Sequence, residues 1–159
     1  MVRQYTKIHD QYLVDFLIHN FPEGQYIIYP RVGEIQSEYL EGLSADEKKA
    51  MSPWKLRPDA FAWKDGKFYI IEVIVRPNEW WKYAKLAEYE LAFRRDPEYK
   101  EFHNMPVIKM LVSSESNEFA ERQCALAGVV FVKYRPTWIL PYIASLPKRI
   151  QRPYGHILE

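Results

Sequence analysis

The stretch from Arg57 to Arg76, RPDAFAWKDGKFYIIEVIVR, most constrains the fold of this chain. Two runs of strand-forming residues flank Asp65-Gly66, and Asp-Gly between such runs is a strong short-range signal for a two-residue β-hairpin. With Lys64 and Lys67 flanking the turn, the register follows: Asp59 lies opposite Glu72, and Arg57 opposite Ile74. Counting back from the turn, Asp59 and Glu72 form a non-hydrogen-bonded pair, with Cβ atoms roughly 4.5–5.5 Å apart. Like charges opposite each other repel, and Phe61, Trp63, Phe68 and Ile70 on the same face screen that repulsion poorly. A bound cation would turn the repulsion into a site. Otherwise one acid must take up a proton, or the strands must splay.

The second strand, Phe68 to Val75, is apolar on both faces except at Glu72. Such a strand belongs in the middle of a sheet covered by helices on both sides. The 159 residues suit a single domain with a real core. A hydrophobic content of 48% with 27% charge describes a globular chain rather than a disordered one. A net charge of +1 gives no global argument for nucleic acid, so any such contact must come from a local patch. One cysteine, Cys124, excludes an internal disulfide and argues against a cysteine-rich zinc site. The expectation is a reducing, cytoplasmic setting, with which a virion-associated protein is compatible. The N-terminus lacks a basic-then-apolar pattern and no apolar run approaches ~20 residues, so neither export nor a membrane span is expected.

Around the hairpin, Tyr5, Ile8, Tyr12, Leu13, Phe16 and Leu17 recur at helical spacing, predicting a helix from Tyr5 to Asn20 with Asp10 and Asp15 facing outward. Gln25 to Val32 reads as a strand, with Pro30 marking an edge or a bulge. Ser44 and Glu47 form a capping box for a short helix to about Met51, ended by Pro53. Asn78 is placed to cap a helix from Glu79 to about Arg94, and Asp96-Pro97 marks its end or a kink. Val107–Val112 and Val129–Tyr134 are strands. Between them, Ser114 or Ser116 caps a helix to Ala127, which Gly128 stops. Thr137 to Leu146 is a last helix, and a basic tail starts at about residue 147. The whole is a single α/β domain over residues 1–159, with a mixed central sheet and helices on both faces.

Pro58-Asp59, the hairpin, Glu72 late in the next strand and the helix after it resemble the PD-(D/E)XK nuclease superfamily, the restriction-endonuclease-like proteins. The order of elements matches from about Tyr5 to Tyr134; the motif covers Pro58 to Tyr89. The resemblance implies an αβββαβ core and a catalytic pair, Asp59 and Glu72, that binds Mg²⁺ or Mn²⁺ with the backbone carbonyl of Val73. Hard oxygen ligands with open water positions suit such a cation. The superfamily's lysine sits two residues after the second acid, where this chain has Ile74. In relatives whose lysine has migrated to the following helix the pattern resembles Lys85-Leu86-x-x-Tyr89, so Lys85 is the first candidate, Lys82 the second and Arg57 a third. The chemistry implied is metal-assisted phosphodiester hydrolysis, with DNA ahead of RNA as substrate.

Arg57, Arg76, Trp80, Trp81, Lys148, Arg149 and Arg152 are the candidate nucleic-acid contacts. Each candidate has a plainer reading. Asp59 starts a strand after a proline, Glu72 forms a salt bridge to Arg57 or Lys85, the lysines face solvent, and the tryptophans pack in a core or an interface. Asp10, Asp15 and Glu34 are acids near the first helix and strand with no assigned role. His9, His19, His103 and His156 show no metal-ligand spacing. Ser113, Ser114 and Cys124 lack a partnered base. The rival function is a non-catalytic binding or assembly protein, of a virus or mobile element for example, that keeps the nuclease fold. Ile74 and the surplus Trp and Tyr favour it, and a homodimer or larger assembly would use those aromatics.

Overall fold

The hairpin forms in the register read from its turn. In a computed structural model, which describes residues 4–33, 41–50 and 56–152, strand β2 (Ala60–Lys64) pairs antiparallel with β3 (Lys67–Ile74). Lys64 faces Lys67 and Ala60 faces Ile71. Asp65 and Gly66 both have positive φ, 52° and 73°. That is the type I′ geometry whose twist matches the flanking strands, and Gly and Asp adopt it at lower cost than most residues.

Strand β3 lies at the centre of a sheet of order β1-β2-β3-β4-β5 among the described residues. The other members are β1 (Tyr26–Ile28), β4 (Val107–Ser113) and β5 (Val129–Lys133). The pairs β1–β2 and β2–β3 are antiparallel, whereas β3–β4 and β4–β5 are parallel. From Phe68 to Ile74 every residue of β3 is buried, as an apolar central strand requires.

Two layers cover the sheet. Tyr69, Ile71 and Val73 face helix α1 (Gln4–Asn20), whose Ile8, Tyr12, Leu13, Phe16 and Leu17 are buried as their spacing predicted. Helix α5 (Ile139–Ser145) adds Ile139 and Ile143 on that side. Phe68, Ile70 and Ile74 face the opposite layer, with Leu86, Tyr89 and Phe93 from α3 (Lys85–Arg95) and Cys124 from α4 (Glu118–Leu126). Phe68 stacks on Phe93 with ring centroids 4.3 Å apart. The order α1, β1, β2, β3, α3, β4 contains the αβββαβ core. Among the described residues no helix is long and apolar enough to cross a membrane.

Several boundaries differ from the sequence-based expectations. Strand β1 stops at Ile28 because Tyr29 turns into the left-handed region (φ 51°) and Pro30 has no N–H. One bridge, Val32 to Leu56, resumes the pairing. Half of the capping box forms at helix α2 (Ala45–Ala50): the Glu47 N–H donates to the Ser44 hydroxyl at 3.2 Å, while the Glu47 carboxylate accepts that hydroxyl at 3.1 Å instead of the Ser44 N–H. Met51, Pro53, Glu34 and His156 lie outside the described residues.

The helix expected from Glu79 is in fact two. A 3₁₀ segment covers Pro77–Ala84, and α3 follows it. Its cap position is Arg76 rather than Asn78, because Pro77 already fits the first helical position. Asp96 ends α3 and caps a further 3₁₀ segment, Pro97–Phe102, by accepting the Glu98 N–H. Helix α4 is capped by Asn117, which accepts the Ala120 N–H at 2.9 Å. Ser114 is not the cap, because its hydroxyl donates back to the Val75 carbonyl at 3.4 Å. Gly128, at φ 70°, follows the helix end as expected. The basic tail begins in a short helix, α6 (Lys148–Gln151).

Candidate active site at the open end of the hairpin

The site forms where the hairpin ladder runs out. Beyond Ala60 and Ile71 the next hydrogen-bonded pair would join Pro58 to Val73. Pro58 has no N–H to give. The chain bends at Asp59 instead, and the Asp59 carboxylate accepts the Val73 N–H at 2.8 Å. The Asp59 N–H donates to Glu72 Oε1 at 3.2 Å, and its carbonyl accepts the Tyr29 N–H at 2.8 Å. In a strand, a residue's carbonyl leaves on the same side as its N–H. The Val73 carbonyl therefore points toward the acids, and Pro58 offers it no ladder donor.

Asp59 and Glu72 are 8% and 3% exposed, so their mutual repulsion is poorly screened. Their environments separate their protonation. Burial pushes Glu72 well above the usual carboxylate value and the charge of Asp59 adds to that, while Lys82 opposes it. Burial also pushes Asp59 upward. The neighbouring His9 ring, the Lys82 ammonium and the Val73 N–H outweigh it and hold Asp59 below its ordinary value. Of the two, Glu72 is therefore the acid that holds a proton more readily. Tyr89 from α3 lies beside Glu72, whose charge acts on its phenol. Burial and the two carboxylates keep that phenol protonated.

His9 is the site residue that spacing did not reveal. Its Nε2 lies 3.4 Å from Asp59 Oδ2, too poorly aligned for a hydrogen bond, and is a buried ring nitrogen with no hydrogen-bond partner. Its Nδ1 is 2.9 Å from the Tyr29 hydroxyl, which donates to Asp10. A signal was present in the sequence. His9 stands four and seven residues before Leu13 and Phe16, so it continues the buried stripe of α1 and must face the sheet. The acids of that helix do not fill this place. Asp10 bonds Tyr29 and Asp15 bonds the Tyr134 hydroxyl at the helix flank.

The two candidate lysines separate. Lys82 is 17% exposed, lies 3.7 Å from Glu79, and acts electrostatically on both acids. Lys85 is exposed, with its ammonium 5.0 Å from the Trp81 ring centroid. The 3₁₀ segment accounts for this, since its tighter winding gives Lys82 a different phase from that of a continuous α-helix. Arg57 does not face Ile74, because the ladder stops before reaching it; its guanidinium lies 4.7 Å from the Tyr29 ring centroid. Ile74 is 3% exposed and belongs to the core facing α3.

Of the remaining candidates, Arg76 and Trp80 line a cleft of about 260 Å³ at the carboxyl ends of the parallel strands, with Ile74, Ser114, Asn117 and Phe131. Trp80 packs on Tyr83 and Phe119, whereas Trp81 is 47% exposed. Lys148, Arg149 and Arg152 are exposed on and just after α6. That helix folds back on α5 through Gln151, so these charges belong to the α1 side of the molecule. The Cys124 thiol is buried and pushed up to about 11 by that burial and by Glu121, which leaves no thiolate for nucleophilic chemistry.

Among the described residues no three His, Cys, Asp or Glu side chains form a ready cage for a metal. The donors present are the two carboxyl groups, His9 Nε2 and the Val73 carbonyl. The oxygen donors would suit a hard divalent cation that retains water, and the imidazole nitrogen is a softer donor beside them. A cation would displace the Glu72 proton and give the unpartnered nitrogen something to bind.

No protein-family model matches the chain, and no curated protein matches it. Among solved structures it is similar to EndoMS in complex with double-stranded DNA, at 17% identity and TM-score 0.48 over 81% of this chain and 45% of that one. It is also similar to a repair endonuclease from Pyrococcus abyssi, at 17% identity and TM-score 0.46 over 80% of this chain and 47% of that one. The chain spans less than half the length of either.

Proposed function

We propose that this chain is a metal-dependent nuclease of PD-(D/E)XK type that hydrolyses phosphodiester bonds, in DNA ahead of RNA. The observation that carries the reading is the buried acid pair at the open end of the hairpin, Asp59 and Glu72, with an unpartnered His9 nitrogen beside Asp59. Asp59, Glu72, His9 Nε2 and the Val73 carbonyl would hold Mg²⁺ or Mn²⁺. When bound, the cation would supply charge neutralisation at the scissile phosphate and a more acidic water. Lys82 is the side chain placed to steady negative charge there, in the role that Ile74 cannot fill. Trp81 and Arg76 offer stacking and phosphate contacts nearby. The test is cleavage of plasmid, single-stranded DNA and RNA with Mg²⁺ or Mn²⁺. Wild type is expected to cut DNA and Glu72→Ala to lose at least ~10²-fold. Equal activity in the two proteins refutes the proposal.

Ile74 supports a second reading, a binding or assembly protein that keeps the fold without catalysis. Its side chain is part of the packed core, so the usual lysine position is given over to stability. Nucleic-acid binding that is unchanged in Glu72→Ala, with no cleavage by either protein, would favour it.

A further inference from the structure

We infer that Tyr29 and Asp10 form a positioning pair that holds the His9 ring in its Nδ1–H tautomer, so that Nε2 faces Asp59 as a bare lone pair. The inference rests on the reading of this end of the sheet as a divalent-cation site. A phenol has one proton to donate. Tyr29 gives it to Asp10, an acceptor-only carboxylate. The Tyr29 oxygen can then only accept, so its 2.9 Å contact with His9 Nδ1 requires a hydrogen on that nitrogen. Asp10 Oδ1 lies 3.9 Å from the same nitrogen and favours the same state. In a neutral imidazole the other nitrogen is then unprotonated. It meets Asp59 Oδ2, also an acceptor, at 3.4 Å. Two acceptors facing each other in a buried site leave a place for a cation.

Tyr29 is itself held by the residue whose site it serves. Its N–H donates to the Asp59 carbonyl at 2.8 Å. Its φ of 51° is a left-handed conformation that tyrosine rarely adopts. Its ring lies nearly parallel to His9, at 14° and 6.2 Å, and Arg57 covers it. One residue thus ties the backbone of one acid to the orientation of the imidazole facing that acid. Metal-bound histidines are ordinarily oriented through their second nitrogen in this manner.

The test is the ¹⁵N spectrum of the His9 ring in the metal-free full chain at about pH 8, above the ordinary imidazole range. A parallel measurement takes the affinity for Mn²⁺ alone. Wild type is expected to show Nδ1 protonated and Nε2 bare. Tyr29→Phe removes only a hydroxyl, and should give a mixture of tautomers and weaken Mn²⁺ binding about 10–100-fold. Asp10→Asn keeps the shape but can donate to Tyr29, which frees the phenol proton for His9 Nδ1 and should shift the ring toward Nε2–H. An Nε2–H ring in wild type overturns the inference, as does an unchanged tautomer in both variants. Absence of Mn²⁺ binding in wild type overturns the cation-site reading instead, and it is visible separately from the tautomer.

Discussion

Replacing Glu72 by Gln should make the metal-free protein more stable at alkaline pH. Glu72 is 3% exposed and shares its space with an ionised Asp59. A glutamine keeps an oxygen for the Asp59 N–H, and its amide N–H can face the Asp59 carboxylate where the acid would carry a proton. No partner is orphaned, and the cost of keeping a carboxyl there disappears. That cost is on the scale of a poorly compensated buried polar group, about 1–3 kcal/mol. For a chain of this length it corresponds to a rise in Tm of roughly 2–10 °C. The sign depends on pH. Burial raises Glu72 in the folded state, so the stability it contributes is complete below the unfolded glutamate value of about 4.3 and is lost as pH rises through the folded value. Asp59 is held low and stays ionised over that range in both proteins. The Gln variant and wild type should therefore have similar stability near pH 4 and diverge steadily above it. Urea unfolding with EDTA at several pH values measures this. A difference that is independent of pH, or a less stable variant at high pH, refutes the description of Glu72 as the acid that holds a proton. Saturating Mn²⁺ should reverse the order, since cation at ~100 times its Kd adds about 2.7 kcal/mol to wild type alone.

Two further substitutions probe the elements around the pair. Lys82→Ala should reduce DNA cleavage by about 10²-fold and Lys85→Ala by only a few-fold, read as single-turnover rates with saturating metal. Pro58→Ala should leave urea stability within about 1 kcal/mol, because a regained ladder bond offsets the lost proline rigidity. It should nevertheless lower Mn²⁺ affinity in calorimetry, by letting Val73 pair with residue 58 instead of facing the site.

The fold was legible because its strongest signals are local. Asp65-Gly66 specifies a type I′ turn, the turn sets the register, and the register places Asp59 against Glu72. Burial on both faces then assigns β3 to the sheet centre. The stripe of α1 was equally plain. What could not be read depended on tertiary context or on small shifts of phase. The 3₁₀ winding of Pro77–Ala84 sets the phase of Lys82, yet its apolar pattern resembles that of an α-helix. His9 enters the site from a helix fifty residues before the first acid, and only docking of α1 on the sheet brings them together. Arg57 does not face Ile74, because the ladder whose register would pair them ends at Ala60 and Ile71.

That interruption explains why the site lies where it does. A continuing antiparallel pair would satisfy both the N–H and the carbonyl of Val73 and leave nothing to bind. With proline at position 58, the Val73 N–H must find another acceptor, and the nearest is the Asp59 carboxylate. The acid is thereby held against the strand rather than turned to solvent. Glu72, one residue earlier on β3, accepts the Asp59 N–H in return. Each acid is fixed by the other's strand, so their proximity is enforced by backbone bonds rather than by attraction between them. Two repelling groups held together in this way favour positive charge beside them, and the field of Lys82 supplies some of it. The buried aromatic layer of Phe61, Phe68 and Phe93 supplies the rigidity that this requires. The stability of the core and the chemistry of the open end are two consequences of one hairpin, and the change from one to the other occurs at Pro58.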